Sequence, residues 1–177
     1  VVSWKNAYRI YFFGVQKTLD NTLSDLKKIK STCSISADFI NQFLIFEKAA
    51  ENISKITAQC TGFRPVFSLA SEISKKRCEI LQDIRKIERF CGNFKNCPYS
   101  IKNYKNQFMM ICDDYRKILK NIGNCCNVNI YFLKFMIEYN NFCVSLNQNA
   151  LKYRLCPQLR LIAEYSVLTC RKENVKM

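Results

Sequence analysis

Apolar residues recur at steps of three and four along almost the whole chain, and that spacing restricts it to a set of packed amphipathic helices. Tyr8, Phe12, Val15, Leu19, Leu23 and Leu26 lie on one stripe. Ser34 or Ser36 can cap a second helix, predicted over about 36–60, whose stripe runs through Phe39, Phe43, Ile53 and Ile56 to a stop at Gly62. Pro65 suits the first turn of a third helix, carried by Val66, Leu69, Ile73, Ile80, Ile84 and Ile87 as far as Gly92. The stretch CGNFKNCPYS then breaks the pattern. A fourth helix has the most regular stripe, Ile101, Tyr104, Phe108, Ile111, Tyr115, Ile118 and Ile122, and Gly123 stops it. A fifth is predicted over about 129–154, and a sixth from Pro157 to about Cys170, with the tail RKENVKM frayed. Gly 4 and Pro 3 are too few for a turn-rich β-sandwich or barrel, so the fold class is all-α, a bundle of about six helices.

A shift of 93 positions lays the second half of the chain over the first: Asp20 falls on Asp113, Leu26 on Leu119, Lys27 on Lys120, Ile29 on Ile122, Cys33 on Cys126 and Phe39 on Phe132. With a small insertion in the second copy, Cys60 falls near Cys156 and Cys78 near Cys170. Two divergent three-helix units from an internal duplication are the expectation, 1–91 and 100–177, joined by a linker over 92–99 and able to pack as one compact domain.

Eleven cysteines occupy positions 33, 60, 78, 91, 97, 112, 125, 126, 143, 156 and 170. Cys33, Cys60, Cys78, Cys91, Cys97, Cys112, Cys125, Cys126, Cys143, Cys156 and Cys170 are all disulfide candidates, because the chain has no histidine and no CxxC pair with which to build the usual zinc sites. Adjacent Cys125 and Cys126 suit bonds to two different elements, and the odd count leaves at least one thiol free, shared between chains or bonded to a small thiol. In an up-down-up unit the start of the second helix lies beside the end of the third, so Cys33 is expected to reach Cys91 or Cys78, and the equivalent bond joins Cys126 to Cys170. Disulfides on this scale point to an oxidising compartment, and the chain reads as a secreted mature form, since its start does not follow the pattern of a signal peptide.

Lys+Arg 28 against Asp+Glu 14 gives a net charge of +14, a field that draws acidic proteins, nucleic acid, anionic glycans or anionic membrane surfaces. The basic residues are dispersed, which also fits a solvated helix surface. No apolar stretch is long enough for a transmembrane helix. The aromatic residues stand at helical spacing, which makes them core rather than a platform for stacked bases.

Enzyme chemistry is not expected. Without histidine there is no Ser-His or Cys-His nucleophile system, and no GxGxxG or GxxxxGK[ST] loop occurs. Asp113 and Asp114 are helix neighbours that point in different directions, a poor catalytic pair. No catalytic residue, metal site or cofactor is therefore assigned. Asn52-Ile53-Ser54 is a glycosylation sequon inside a predicted helix.

The cysteines with tyrosines between them carry a resemblance. Cys97, Tyr104 and Cys112 form one set, Cys156, Tyr165 and Cys170 another, and the second half of the chain resembles the BICYCLE family of secreted aphid salivary effectors, named for paired Cys-Tyr-Cys motifs. The resemblance implies secretion into plant tissue, action on host development and no enzymatic activity. The function expected is that of a secreted effector binding a host macromolecule, most simply a plant protein. The alternatives are a helical carrier of a small apolar ligand and a basic protein that binds nucleic acid or anionic glycan.

Overall fold

The computed structural model describes residues 4–123 and 127–177, with Trp4 and Lys5 described as backbone alone. Among these are six helices and no strand: α1 (Trp4–Lys28), α2 (Ile35–Cys60), α3 (Arg64–Cys91), α4 (Pro98–Lys120), α5 (Val128–Leu151) and α6 (Pro157–Lys176). Each of the three prolines opens a helix, where its missing N–H is not needed. Pro98 thus belongs to α4 rather than to the linker, which shrinks to residues 92–97.

Ser34, not Ser36, caps α2, its Oγ accepting from Ala37 N at 3.1 Å. Asn127 does the same for α5, its Oδ1 accepting from Asn129 N at 2.8 Å and Ile130 N at 3.2 Å. A cap of this kind stabilises a helix by about 1 kcal/mol. Ser36 is buried one turn inside, where its Oγ accepts from Cys156 N at 3.0 Å and so ties α2 to the start of α6.

Helices α2 and α5 pack against each other at the centre, with α1 and α3 against α2, and α4 and α6 against α5. Their central position explains their composition. Phe39, Phe43 and Phe46 on α2, and Phe132, Phe135 and Phe142 on α5, are fully buried and join one continuous core fed by all six helices. Each fully buried side chain of this size contributes roughly 1.5–3 kcal/mol by leaving water.

Helix α1 also touches α4, and α3 touches α6. Lys27 pairs with Asp113 at 2.9 Å and Lys120 with Asp20. Tyr139 Oη donates to the Phe46 carbonyl at 2.8 Å.

The segment between α3 and α4 is tightly held. Asn96 N donates to Cys33 O at 3.0 Å, Asn96 Oδ1 accepts from Ile35 N at 2.9 Å, and Asn96 Nδ2 donates to Arg154 O at 2.9 Å. One residue, through its backbone and its side chain, therefore joins three helix junctions at the same end of the bundle, and the Cys91–Cys156 disulfide lies there too.

The C-terminal tail corrects an expectation. Arg171 to Lys176 are helical, not frayed, because Glu173 is buried against Arg77 Nη2 at 2.7 Å and Asn174 Oδ1 accepts from Asn140 Nδ2 at 3.0 Å.

Candidate interaction surface

Chemistry-bearing groups concentrate in the interior. Arg77 on α3 is 0% exposed, with Nη1 2.8 Å from Glu47 Oε2, and Nη2 2.7 Å from Glu173 Oε2, 2.8 Å from Asn140 Oδ1 and 3.2 Å from Cys170 Sγ. Glu47 Oε1 accepts from Ser166 Oγ at 2.8 Å. Four helices, α2, α3, α5 and α6, supply these groups; both Nη atoms of Arg77 are paired with carboxylates, while Arg77 Nε and Glu173 Oε1 are buried without a hydrogen-bond partner. Burial pushes the Glu173 carboxyl above its ordinary value, and Arg77 pulls against that. The centre is closed to solvent, so no substrate reaches it; its work is to lock four helices together. The sequence reading missed it, although Arg77 stands between Ile73 and Ile80 on the apolar stripe of α3, where only a buried charge fits the periodicity.

The cysteines divide by environment. Cys91 is bonded to Cys156, while Cys33, Cys60, Cys78, Cys97, Cys112, Cys143 and Cys170 carry free thiols. The expected Cys33–Cys91 and Cys33–Cys78 bonds are therefore corrected. Each was argued within α1 to α3, whereas the end of α3 meets the start of α6. Cys170 lies beside Arg77, and Cys125 and Cys126 fall outside the described residues, including the expected Cys126–Cys170 bond.

The two Cys-Tyr-Cys sets have unlike surroundings. Tyr104 is buried and donates to Gln42 Oε1, Cys112 is buried, and Cys97 is exposed at the α4 N-terminus. Cys156 is in the disulfide, whereas Tyr165 is 52% exposed. Under the 93-residue shift Tyr104 corresponds to Tyr11, also buried, whose hydroxyl shares a hydrogen bond with Thr57 Oγ1 at 2.8 Å. Asn52 is half-buried in mid-α2 and Ser54 is 0% exposed, so the folded helix does not present the sequon as an open loop. Asp113 is exposed and paired with Lys27, which holds its carboxyl below the ordinary value, and Asp114 is exposed beside it.

The concavities are shallow. One between α1, α2 and α4, lined by Leu26, Gln42, Tyr104 and Phe108, has a volume of about 30 Å³, the room of about one or two waters. One of about 540 Å³ is an open surface groove with charged walls, lined by Glu51, Lys55, Lys75 and Glu79, and one of about 140 Å³ lies among Tyr8, Cys60, Thr61 and Asn129. A ligand-burying pocket is instead walled mainly by apolar side chains over roughly 300–1,000 Å³.

Helix α6 supplies the most distinctive surface. Leu159, Ala163, Val167 and Cys170 face the core, yet Leu161, Tyr165, Leu168 and Val175 on the other side are 67%, 52%, 53% and 89% exposed. Steps of four, three and seven residues align these four on one stripe. Exposed Lys172 lies within it, exposed Arg171 and Lys176 flank it, and exposed Glu164, paired with Arg160, also borders it. Such an apolar stripe with a charged, mainly basic border has the composition of a binding face rather than of a solvated helix surface. Comparison with family models, curated proteins and solved structures finds no match to this chain.

Proposed function

We propose that this protein is a secreted, non-enzymatic effector that binds a host protein through the outer face of α6. One observation carries the reading: α6 is apolar on both sides, and only one side has a core to face. The +14 charge supports an acidic partner, since complementary charge speeds encounter, while the exposed apolar centre of Leu161, Tyr165 and Leu168 supplies affinity when a partner covers it. The Cys91–Cys156 bond and the resemblance to aphid salivary effectors support secretion. The internal duplication belongs to the same reading, supported by the matched caps Ser34 and Asn127 and by the reciprocal Lys27–Asp113 and Lys120–Asp20 pairs.

The test compares the oxidised protein with a Leu161→Glu, Leu168→Glu variant in affinity purification from host plant extract. The variant folds as before, because both side chains are exposed, and it loses the captured protein by tenfold or more, about 1.4 kcal/mol of binding. Equal capture by the two, or capture matched by an unrelated protein of equal charge, refutes the reading. Retention dominated by nucleic acid or heparin-like glycan, and falling steeply with salt, would favour the electrostatic alternative.

A further inference from the structure

Helices α5 and α6 form an antiparallel hairpin whose polar contacts fix its register. Asn140 Nδ2 donates to Glu173 Oε2 at 3.0 Å, and two turns along α5, Asn147 Nδ2 donates to Ser166 Oγ at 3.3 Å. Three residues forward from Asn140 is Cys143, and three residues back from Glu173 is Cys170. The two cysteines therefore oppose each other between these rungs. Their sulfurs are in hydrogen-bond contact, and both residues are 0% exposed.

We propose that Cys143 and Cys170 are a modification site, oxidised during folding to a second disulfide that clamps the middle of α6 to α5. The oxidant is a small-molecule disulfide such as oxidised glutathione. One cysteine thiolate, its proton released to solvent, attacks a sulfur of the reagent and expels one reagent thiolate. The second cysteine, its proton likewise released, then attacks the protein sulfur of that mixed disulfide and expels the remaining reagent thiolate, closing the Cys143–Cys170 bond. Two cysteine thiols lose two protons and two electrons; the electrons reduce the reagent disulfide, whose two thiolates take up the protons and leave as thiols. Closure precedes final docking of α6, because the finished site admits no reagent. Cys91–Cys156 already fixes the start of α6, so the second bond would secure the half that carries Leu168 and Val175.

Trypsin makes the test unambiguous. Cleavage after Lys134, Lys152, Arg160 and Arg171 places Cys143 in peptide 135–152 and Cys170 in peptide 161–171, each with no other cysteine. The full chain is refolded in a glutathione redox buffer, its helix content checked, then alkylated in denaturant without reductant and digested. The expected product is a linked pair of these peptides, lighter by two hydrogens than their sum and separated by reduction. Recovery of both peptides singly alkylated, or of either joined to another cysteine, overturns the proposal. The outcome does not depend on what the protein binds, so this inference and the α6 interface stand or fall separately.

Discussion

Replacing Arg77 by methionine tests the buried polar centre most directly. Methionine replaces the aliphatic stem of Arg77 but not its guanidinium, so Glu47, 0% exposed, and Glu173, 5% exposed, lose the cation that lies 2.8 and 2.7 Å from them. Removing one partner of a buried ion pair costs about 3–5 kcal/mol. Total stability of a domain is about 5–15 kcal/mol, so the variant keeps its helices only narrowly, and its melting temperature falls by about 6–20 °C at about 2–4 °C per kcal/mol. Urea unfolding followed by far-ultraviolet circular dichroism measures the difference. The penalty arises from buried negative charge, which makes a second comparison decisive. Adding Glu47→Gln and Glu173→Gln to Arg77→Met removes that charge and recovers most of the loss. A single variant that loses less than about 1 kcal/mol, or a triple variant no more stable than the single, refutes the claim that charge pairing locks these four helices.

Glu173 gives a pH signature. Its ordinary value of 4.5 is raised in the fold by burial, so between the two values the native state holds more protons than the unfolded chain. Stability contributed by this group is complete below the ordinary value and declines as pH rises through the folded one; a Glu173→Gln variant shows a flatter profile over that window, and an unchanged slope contradicts the assignment. Cys91→Ser opens a loop of 65 residues and destabilises by about 4 kcal/mol on the chain-entropy account. Cys156→Ser gives the same loss, and the double variant is no worse; a clearly additive double would show that the sulfurs act separately. Burial pushes the Cys112 thiol up to about 12, whereas the Ser100 hydroxyl holds exposed Cys97 below its ordinary value. Iodoacetamide at neutral pH therefore labels Cys97 ahead of Cys112 in the folded protein, and the reverse order is incompatible with this packing.

Six helices, the proline starts at Pro65 and Pro157 and the capping role of the region around Ser34 were legible in the sequence, because periodicity, caps and breakers act within a few residues; Pro98, set among Gly92 and two cysteines, read as a breaker although it opens α4. The frayed reading of the tail failed for the complementary reason. Arg171 to Lys176 carry no strong local helix signal, and their helix is held by Arg77 and Asn140, far away in the chain. Arg77 left a trace, a cation on an apolar stripe, but nothing local identifies Glu47 and Glu173 as its partners.

Disulfide pairing shows the same division. Eleven cysteines announce cross-linking from composition alone, and cysteine type fixes the chemistry available. Which sulfurs meet depends on how α3 and α6 come together, and the pairing expected within the first three helices was wrong for Cys91 on that account. The α6 face is also a tertiary fact: its apolar residues surround the helix, and periodicity alone cannot say which side α5 and α3 will cover. The sequence by itself determined helices, their ends and the absence of histidine chemistry, since these follow from residue type and near neighbours. The tertiary structure decided which charges are buried, which sulfurs are joined and which apolar residues face water, since each depends on groups brought together from distant parts of the chain.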